Sequence, residues 1–381
     1  MVQPLELRSS DSVLVFAPHP DDETLGSGGL LQRARAVGAR VRVVFVTDGE
    51  NNPWPQRVLE RRWRLGDADR ARWGKRRREE ARRAFERLGI GEDAAVFLSL
   101  PDQGLTRLAL TNREPLLAAI RREIVTHEPS LVVGPSPRDH HPDHSALGVS
   151  LQLARTAASE PSQAGGVDPA RSRPGLITFF VHGRRAAAPE GEPLVLRLSA
   201  EEQRRKRQAV LAHASQLVFR GRFYLSFVGE TEAFAVAGVP SSTDPWHPIR
   251  EAVVDGEGYR LRIRSRSRLR WAQPCRLLLL ACGCPSASTG LAIDLDARGG
   301  ELEARSAVTG AVVGRVGFRG NRSRGEISLP RSLFDGATSL FVKMDHPWSF
   351  FDEDGWREIP APGAARAAAA LEVDSAVRGV A

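Results

Sequence analysis

Residues 15–29 read VFAPHPDDETLGSGG. An apolar run ends at Ala17, and His19, Asp21, Asp22 and Glu23 follow at once, with Gly26, Gly28 and Gly29 behind them. Like charges at neighbouring positions repel, so three acids placed where a core strand ends need something positive to hold them. The flanking segments Ser12–Ala17 (SVLVFA) and Arg40–Thr47 (RVRVVFVT) are apolar enough to be buried strands. The stretch from Leu25 to Val37 between them has helical character and stops at Gly38, which makes a βαβ unit.

The pattern continues downstream. Lys75 to Leu88 places Ala81, Ala84, Phe85 and Leu88 at helical spacing before Gly89. AVFLSL, LVVGPS and LITFFV read as further strands, with NREPLLAAIRREIVTHE and HSALGVSLQLARTAA as helices between them. Strands alternating with helices predict an α/β fold, a Rossmann-like, doubly wound and mostly parallel sheet. Ser199 followed by Glu202 marks the start of another helix by a capping box. The Pro/Gly/Ser-rich stretch Ser159 to Gly175 reads as a long surface loop. After about Pro240 short strands separated by turn residues replace the alternation, predicting a smaller C-terminal all-β, sandwich-like domain. The expected units are a catalytic domain over 1–240, a β-rich domain with its own core over 241–361, and a frayed Ala-rich tail over 362–381. A chain cut near Pro240 is expected to leave a foldable α/β unit.

Ligands of open α/β sheets sit at the carboxyl ends of the strands. PHPDDE occupies one such end, and RDHHPDH, Arg138 to His144, follows the strand LVVGPS in the same way. A divalent ion would relieve the crowding of the acids. His19, Asp22 and His144 supply an imidazole, a carboxylate and a second imidazole, three protein ligands with a fourth position left for water, the pattern of a catalytic zinc. Asp21 is placed to take a proton from that water, and Asp143 to hydrogen-bond a neighbouring imidazole and fix its tautomer. Glu23 fits a capping or supporting role better than a catalytic one. Asp139, His140, His182 and His213 are left open between structural roles and the cleft. The glycines allow close approach of the first helix, but their spacing does not match a dinucleotide fingerprint.

PHPDDE paired with HPDH at 141–144 resembles the LmbE-like (PIG-L) family of zinc-dependent N-deacetylases, with secondary matches in RREEARRAFERLG (77–89), LPDQGL (100–105) and HASQ (213–216). The resemblance covers roughly Asp11 to Val236. It implies that His19, Asp22 and His144 bind one Zn2+, that Asp21 is the general base, and that His141 stabilises the oxyanion or protonates the leaving amine. The implied substrate is an N-acetylated amino sugar or glycoconjugate. Two alternatives stand beside this reading: an amidase acting on a sugar–thiol conjugate or another secondary amide, and a non-catalytic carbohydrate-binding protein on the same scaffold.

The chain has 381 residues and a formal charge of +8, carried almost wholly by arginine because Lys75, Lys206 and Lys343 are the only lysines. Such a balance suits acidic partners or reflects a coding bias towards arginine. Twelve arginines between Arg57 and Arg87, with Trp54, Trp63 and Trp73 among or beside them, superficially suggest nucleic acid. Interleaved Glu60, Asp67, Asp69, Glu79, Glu80 and Glu86 fit a solvated helix face instead, so no nucleic-acid partner is expected. The first residues do not read as a signal peptide and no integral membrane segment is evident. Cys275, Cys282 and Cys284 suit buried strand positions better than a disulfide framework, and a soluble, cytoplasmic protein is expected. Trp348, Phe350 and Trp356 are candidate exposed aromatics through which the β unit would position a glycan.

Overall fold

The computed structural model describes residues 3–157, 174–183, 193–236, 243–265, 274–282, 290–295, 299–321 and 324–359. Pro240, Cys284, residues 159–173 of the expected surface loop and the tail 362–381 lie outside the described residues. The chain begins with β1 (Gln3–Pro4), β2 (Ser12–Ala17), α1 (Asp22–Val37), β3 (Arg40–Thr47), α2 (Pro53–Glu60), α3 (Asp67–Leu88) and β4 (Ala95–Leu100). It continues through α4 (Leu105–Thr111), α5 (Glu114–His127), β5 (Leu131–Pro135), α6 (Pro142–Ala157), β6 (Gly175–Phe179), β7 (Leu194–Arg197), α7 (Ala200–Ala212), α8 (Ala214–Leu225) and β8 (Thr231–Val236).

Among the described residues these strands form one eight-stranded sheet in the order β1-β7-β8-β6-β5-β2-β3-β4. The run from β4 to β6 is parallel, whereas β8 lies antiparallel to both β6 and β7, so the sheet is mixed. The alternation of β2 serves both faces. Val13, Val15 and Ala17 join a core with α1 and α3, while Leu14 and Phe16 join a second core with α5 and α6. Sequence order reverses between β2 and β5, and a crevice opens at such a reversal.

Three helices start earlier than the sequence pattern indicates. α1 begins at Asp22, whose charge and that of Glu23 favour a helix N-terminus. α3 begins at Asp67, and α6 begins at Pro142, a residue suited to a first helical turn. The capping box at Ser199 forms as the spacing indicates, with Ser199 Oγ accepting from the Glu202 N–H.

The C-terminal strands are β9 (Ile249–Val254), β10 (Gly258–Arg264), β11 (Arg276–Cys282), β12 (Gly290–Asp294), β13 (Gly300–Ser306), β14 (Val312–Asn321), β15 (Arg324–Pro330), β16 (Ser339–Asp345) and β17 (Arg357–Ile359). Among the described residues they are antiparallel throughout and form one continuous nine-stranded sheet, β17-β16-β11-β12-β13-β14-β15-β10-β9. This corrects the expectation of a sandwich of two sheets. The sheet rolls around a core drawn from most of its strands, and Arg357 of β17 donates to the Ile249 carbonyl of β9, so its ends meet as in a barrel.

One core is shared between the two units, which the change of style near Pro240 does not foreshadow. Leu277, Leu279 and Ala281 of β11 point into the rolled sheet, but Leu278 and Leu280, with Phe341 and Trp356, pack into the core of α4, α5 and α6. The four-leucine run of β11 is therefore apolar because both its faces are covered. Trp356, expected as an exposed aromatic, is fully buried. Polar contacts reinforce the joint. Arg138 pairs with Asp244 at 2.6 Å and Asp354 at 2.7 Å, and Asp352, held by Lys343 at 2.8 Å, accepts from the Ser145 hydroxyl at 3.1 Å. The Trp356 N–H donates to the Pro137 carbonyl at 2.7 Å. Gly355 lies over the same loop at φ +58, and a Cβ there would stand 2.3 Å from the Pro137 carbonyl oxygen.

A chain ending at Val236 should accordingly be insoluble or melt far below the full chain, because it uncovers the partners of Leu278, Leu280, Phe341 and Trp356, each worth about 1.5–3 kcal/mol of burial. A soluble, cooperatively melting fragment would show that the shared core is dispensable.

His247 sits within this joint, fully buried, with Nδ1 accepting from the Ile249 N–H. Burial first, then the nearby Arg138 and Arg357, hold its pKa well below the usual imidazole value. As pH falls below about 6.5 the unfolded chain binds a proton here that the folded chain refuses, so stability is lost with acid. Melting temperatures between pH 7.5 and 5 should fall more steeply for the native chain than for His247→Asn. Equal slopes would show that His247 titrates alike in both states.

Candidate functional site

PHPDDE and HPDH come together because β2 and β5 are neighbours, each feeding a loop into the crevice where sequence order reverses. His19, Asp21, Asp22, Asp139, His141, Asp143 and His144 are all buried. Asp22 Oδ2 lies 3.0 Å from His19 Nδ1 and 3.1 Å from His144 Nε2, so one carboxylate oxygen faces both imidazoles. The rings of His19 and His141 stand 4.8 Å apart, and those of His141 and His144 4.9 Å. His19 with His141 and His144, Asp22 with His144 and His182, and His19 with Asp102 and Asp143 are three groupings whose donor atoms lie close enough to hold a metal ion.

The chemistry of the donors fits a cation. His19 Nε2 and both ring nitrogens of His144 are buried and face carboxylate oxygens, Asp102 and Asp22 at 3.1 Å and Asp139 at 3.4 Å, without a well-aligned hydrogen bond. Burial opposes a charge on His144, yet Asp22 and Asp139 outweigh it and push its pKa up to about 9. His19 is likewise raised, against burial, chiefly by Asp102. Asp22 is driven the other way: burial would raise it, but His144 and His19 hold it well below the usual carboxylate range. The field at this point of the crevice favours positive charge.

Asp21 is held apart from that cluster. Its Oδ2 accepts from Arg77 at 2.9 Å and from the Tyr224 hydroxyl at 2.7 Å. Its backbone sits at φ +152, a strained value for a side-chain-bearing residue. Glu23 fixes that turn by accepting the Asp21 N–H at 2.9 Å, which gives it a supporting place. Burial raises the Asp21 pKa, with Arg77 opposing. Gly26 and Gly29 let α1 lie close to its neighbours: a Cβ would come within 2.3 Å of the Phe179 ring and 2.4 Å of Leu198.

The Asp143 carboxylate accepts the N–H groups of Gln103 and Leu105 and reaches to 3.4 Å from His19 Nε2. Its backbone N–H donates to His141 Nδ1 at 3.2 Å, which leaves Nε2 to carry the proton of the neutral ring. Burial, then the neighbouring His19 and His144, push the His141 pKa well below its usual value.

Of the residues left open, Asp139 ties the site together, accepting the N–H groups of His141, Val181 and His182. His182 lines the cavity and stacks on Phe223, its pKa pushed down to about 3 chiefly by burial. His140 lies at the edge, 3.8 Å from Asp354. His213 is fully buried rather than on a helix surface, with Nε2 3.3 Å from the Thr24 hydroxyl.

Sequence reasoning missed Asp102, whose Oδ1 stands 3.1 Å from His19 Nε2, although LPDQGL contains it. It also missed Arg77 and Tyr224 as partners of Asp21. Arg77 is one arginine of many, distinguished by being 4% exposed. The cavity bounded by these groups has a volume of about 460 Å³, within the range of small-molecule sites.

Residues 14–154 match the family model described as PIG-L, GlcNAc-PI de-N-acetylase. The 1D-myo-inositol 2-acetamido-2-deoxy-alpha-D-glucopyranoside deacetylase of Mycobacterium avium (strain 104) is 34% identical over 145 residues, 35% of this chain and 47% of that protein. The diacetylchitobiose deacetylase of Thermococcus kodakarensis is 31% identical over 141 residues, 36% of this chain and 46% of that protein. Among solved structures, N,N'-diacetylchitobiose deacetylase from Pyrococcus horikoshii aligns at 21% identity and a TM-score of 0.44, over 60% of this chain and 84% of that one. The chain spans about half the length of the curated relatives it matches. No helix among the described residues is long and apolar enough to cross a membrane. The matched stretch carries His19, Asp21, Asp22, His141, Asp143 and His144 at the ends of the paired strands β2 and β5, with Asp102 after β4, and it is over residues 14–154 that the chain is similar to the PIG-L (LmbE-like) family.

Proposed function

We propose that the chain is a zinc-dependent N-deacetylase that removes an acyl group, acetyl in the first instance, from the nitrogen of an amino sugar or glycoconjugate. The observation that carries this reading is the meeting of His19, Asp22 and His144 through one carboxylate oxygen, beside an Asp21 that is bound elsewhere. The deacetylase names of the relatives support it. His19, Asp22 and His144 would hold the ion. Zinc bound there supplies polarisation of the acyl carbonyl and a water whose pKa is lowered to about 7.

Asp21 takes a proton from the attacking water. Arg77 and Tyr224 both donate to its Oδ2, which aims the carboxylate and leaves Oδ1 to accept. The water oxygen bonds to the acyl carbon, and the negative charge passes to the carbonyl oxygen. His141, with Nδ1 occupied by the Asp143 N–H, presents an Nε2 proton to that oxygen. The C–N bond then breaks, the departing nitrogen takes the proton relayed from Asp21 or His141, and a carboxylate and a free amine are released. Asp102 and Asp143 orient His19, and Asp139 orients His144.

Elemental analysis of the purified chain should find one divalent ion per molecule. Absence of metal, with no acetate release from N-acetylated sugars after zinc is added, would reject the proposal. Asp21→Asn should retain that ion while turnover falls about 10²–10⁴-fold, the cost of losing a general base. Asp22→Asn and His144→Ala should lose metal first. An Asp21 variant without metal beside an Asp22 variant that keeps both metal and activity would reverse the roles assigned within PHPDDE.

A further inference from the structure

The cavity has two chemically different ends. Its inner wall is the charged set of His19, Asp21, Asp22, Arg77 and Asp102. Of the lining residues that face solvent, Trp54, Phe219 and Phe350 are aromatic, 61%, 59% and 47% exposed, and only Gln103 and Arg220 among that exposed set are polar. The aromatics come from three separate elements. Trp54 stands in the first turn of α2 and Phe219 on α8, which packs against α2, while Phe350 belongs to the β16–β17 connection of the C-terminal sheet.

That connection reaches the reacting end directly. The Phe350 ring lies 5.0 Å from the His141 ring, nearly edge to face. Phe351 lies 5.0 Å from Phe350 and 5.4 Å from His182. The backbone beside them is pinned: Asp352 N–H donates to the His140 carbonyl at 2.8 Å, and its carboxylate is gripped by Lys343 and by the Ser145 hydroxyl. Phe350 is thus an exposed ring on a fixed support, as a binding wall needs to be.

Large aromatics left half in water cost hydration free energy unless a ligand covers them, and clustered exposed apolar surface at a cleft marks a place where something docks. A pyranose can lay a C–H face on one aromatic ring, but its hydroxyl edge needs donors and acceptors. Three exposed rings from three elements, with Gln103 and Arg220 exposed and Asn52 and His182 half-buried among them, offer apolar surface on more sides than one sugar ring presents it. We infer that the rim formed by Trp54, Phe219 and Phe350 is a subsite for an apolar aglycone, aryl or alkyl, attached to the N-acylated sugar whose amide lies at the charged end. The C-terminal sheet is then a specificity determinant of the cleft, through Phe350. This inference rests on the deacetylase reading for the sugar end and on the rim alone for the aglycone.

The test uses the metal-loaded full chain with three probes: N-acetylglucosamine, diacetylchitobiose and octyl 2-acetamido-2-deoxy-glucopyranoside. Acetate release gives kcat/KM, and calorimetry gives the affinity for the octyl glycoside independently of turnover. The octyl glycoside should exceed free N-acetylglucosamine by about 10–100-fold in kcat/KM, the worth of burying one large apolar group. Phe350→Ala and Trp54→Ala should each cut that ratio about tenfold through KM, and Phe350→Leu should restore part of it. A ratio near one in the native chain, or preference for diacetylchitobiose, overturns the subsite. If no probe releases acetate, the deacetylase reading fails on its own. Calorimetry then decides the rim: octyl glycoside binding that Phe350→Ala weakens upholds the subsite, and absence of binding overturns it.

Discussion

Five carboxylates, those of Asp21, Asp22, Asp102, Asp139 and Asp143, are buried around one crevice, and positive charge has to meet them there. Removing a carboxylate from water without a partner costs several kcal/mol, so each constrains the chain around it. Asp21 draws Arg77 out of a solvated helix into the interior. Asp22 fixes the approach of two histidines from different strand ends. Asp139 and Asp143 spend their remaining lone pairs on backbone N–H groups, and so set the paths of the loops at 181–182 and 103–105. The reversal of strand order between β2 and β5 is what brings acids from both loops to one point of the crevice.

The parallel part of the sheet was legible because each strand is a continuous apolar run and each helix carries its own period and stop. The mixed edge was not: β7 and β8 are short and half-exposed, and nothing local distinguishes an antiparallel neighbour from a parallel one. His19, Asp22 and His144 stood out because their residue types and their place after strands agree. Asp102, Arg77 and Tyr224 did not, since their importance lies in partners 51 to 203 residues away. Arg77 is chemically identical to the solvated arginines on either side, and only the packing of α3 against the sheet selects it. His213 illustrates the same limit, because burial against Thr24 depends on how the junction of α7 and α8 meets α1.

The C-terminal sheet bears on the chemistry more closely than its composition implies. Its β16–β17 connection packs against the loop that ends in HPDH, with Trp356 hydrogen-bonded to Pro137, Asp352 to His140 and Ser145, and Arg138 held between Asp244 and Asp354. Those contacts lie on both sides of His141 and His144 in sequence. A loop fixed at each end by another unit loses little further freedom when its imidazoles are aligned, and alignment is what a site of this kind requires.

A division of labour follows from where the elements come from in the chain. The charged interior, with the residues proposed to bind the ion and to move the proton, falls within 14–154, the stretch shared with the PIG-L family model. Tyr224, Phe219 and Phe350 lie beyond it, with α8 and the second sheet that support the two rim rings, whereas Trp54 and α2 lie within it. Such a layout allows the surface that touches the far end of a substrate to change without disturbing the acids and imidazoles at the strand ends. The rim can vary because its aromatics owe their positions to α2, α8 and the second sheet, whereas the interior cannot, because each buried charge there is balanced by another. The proposed specificity thus draws on the whole chain, and the proposed chemistry on one crevice.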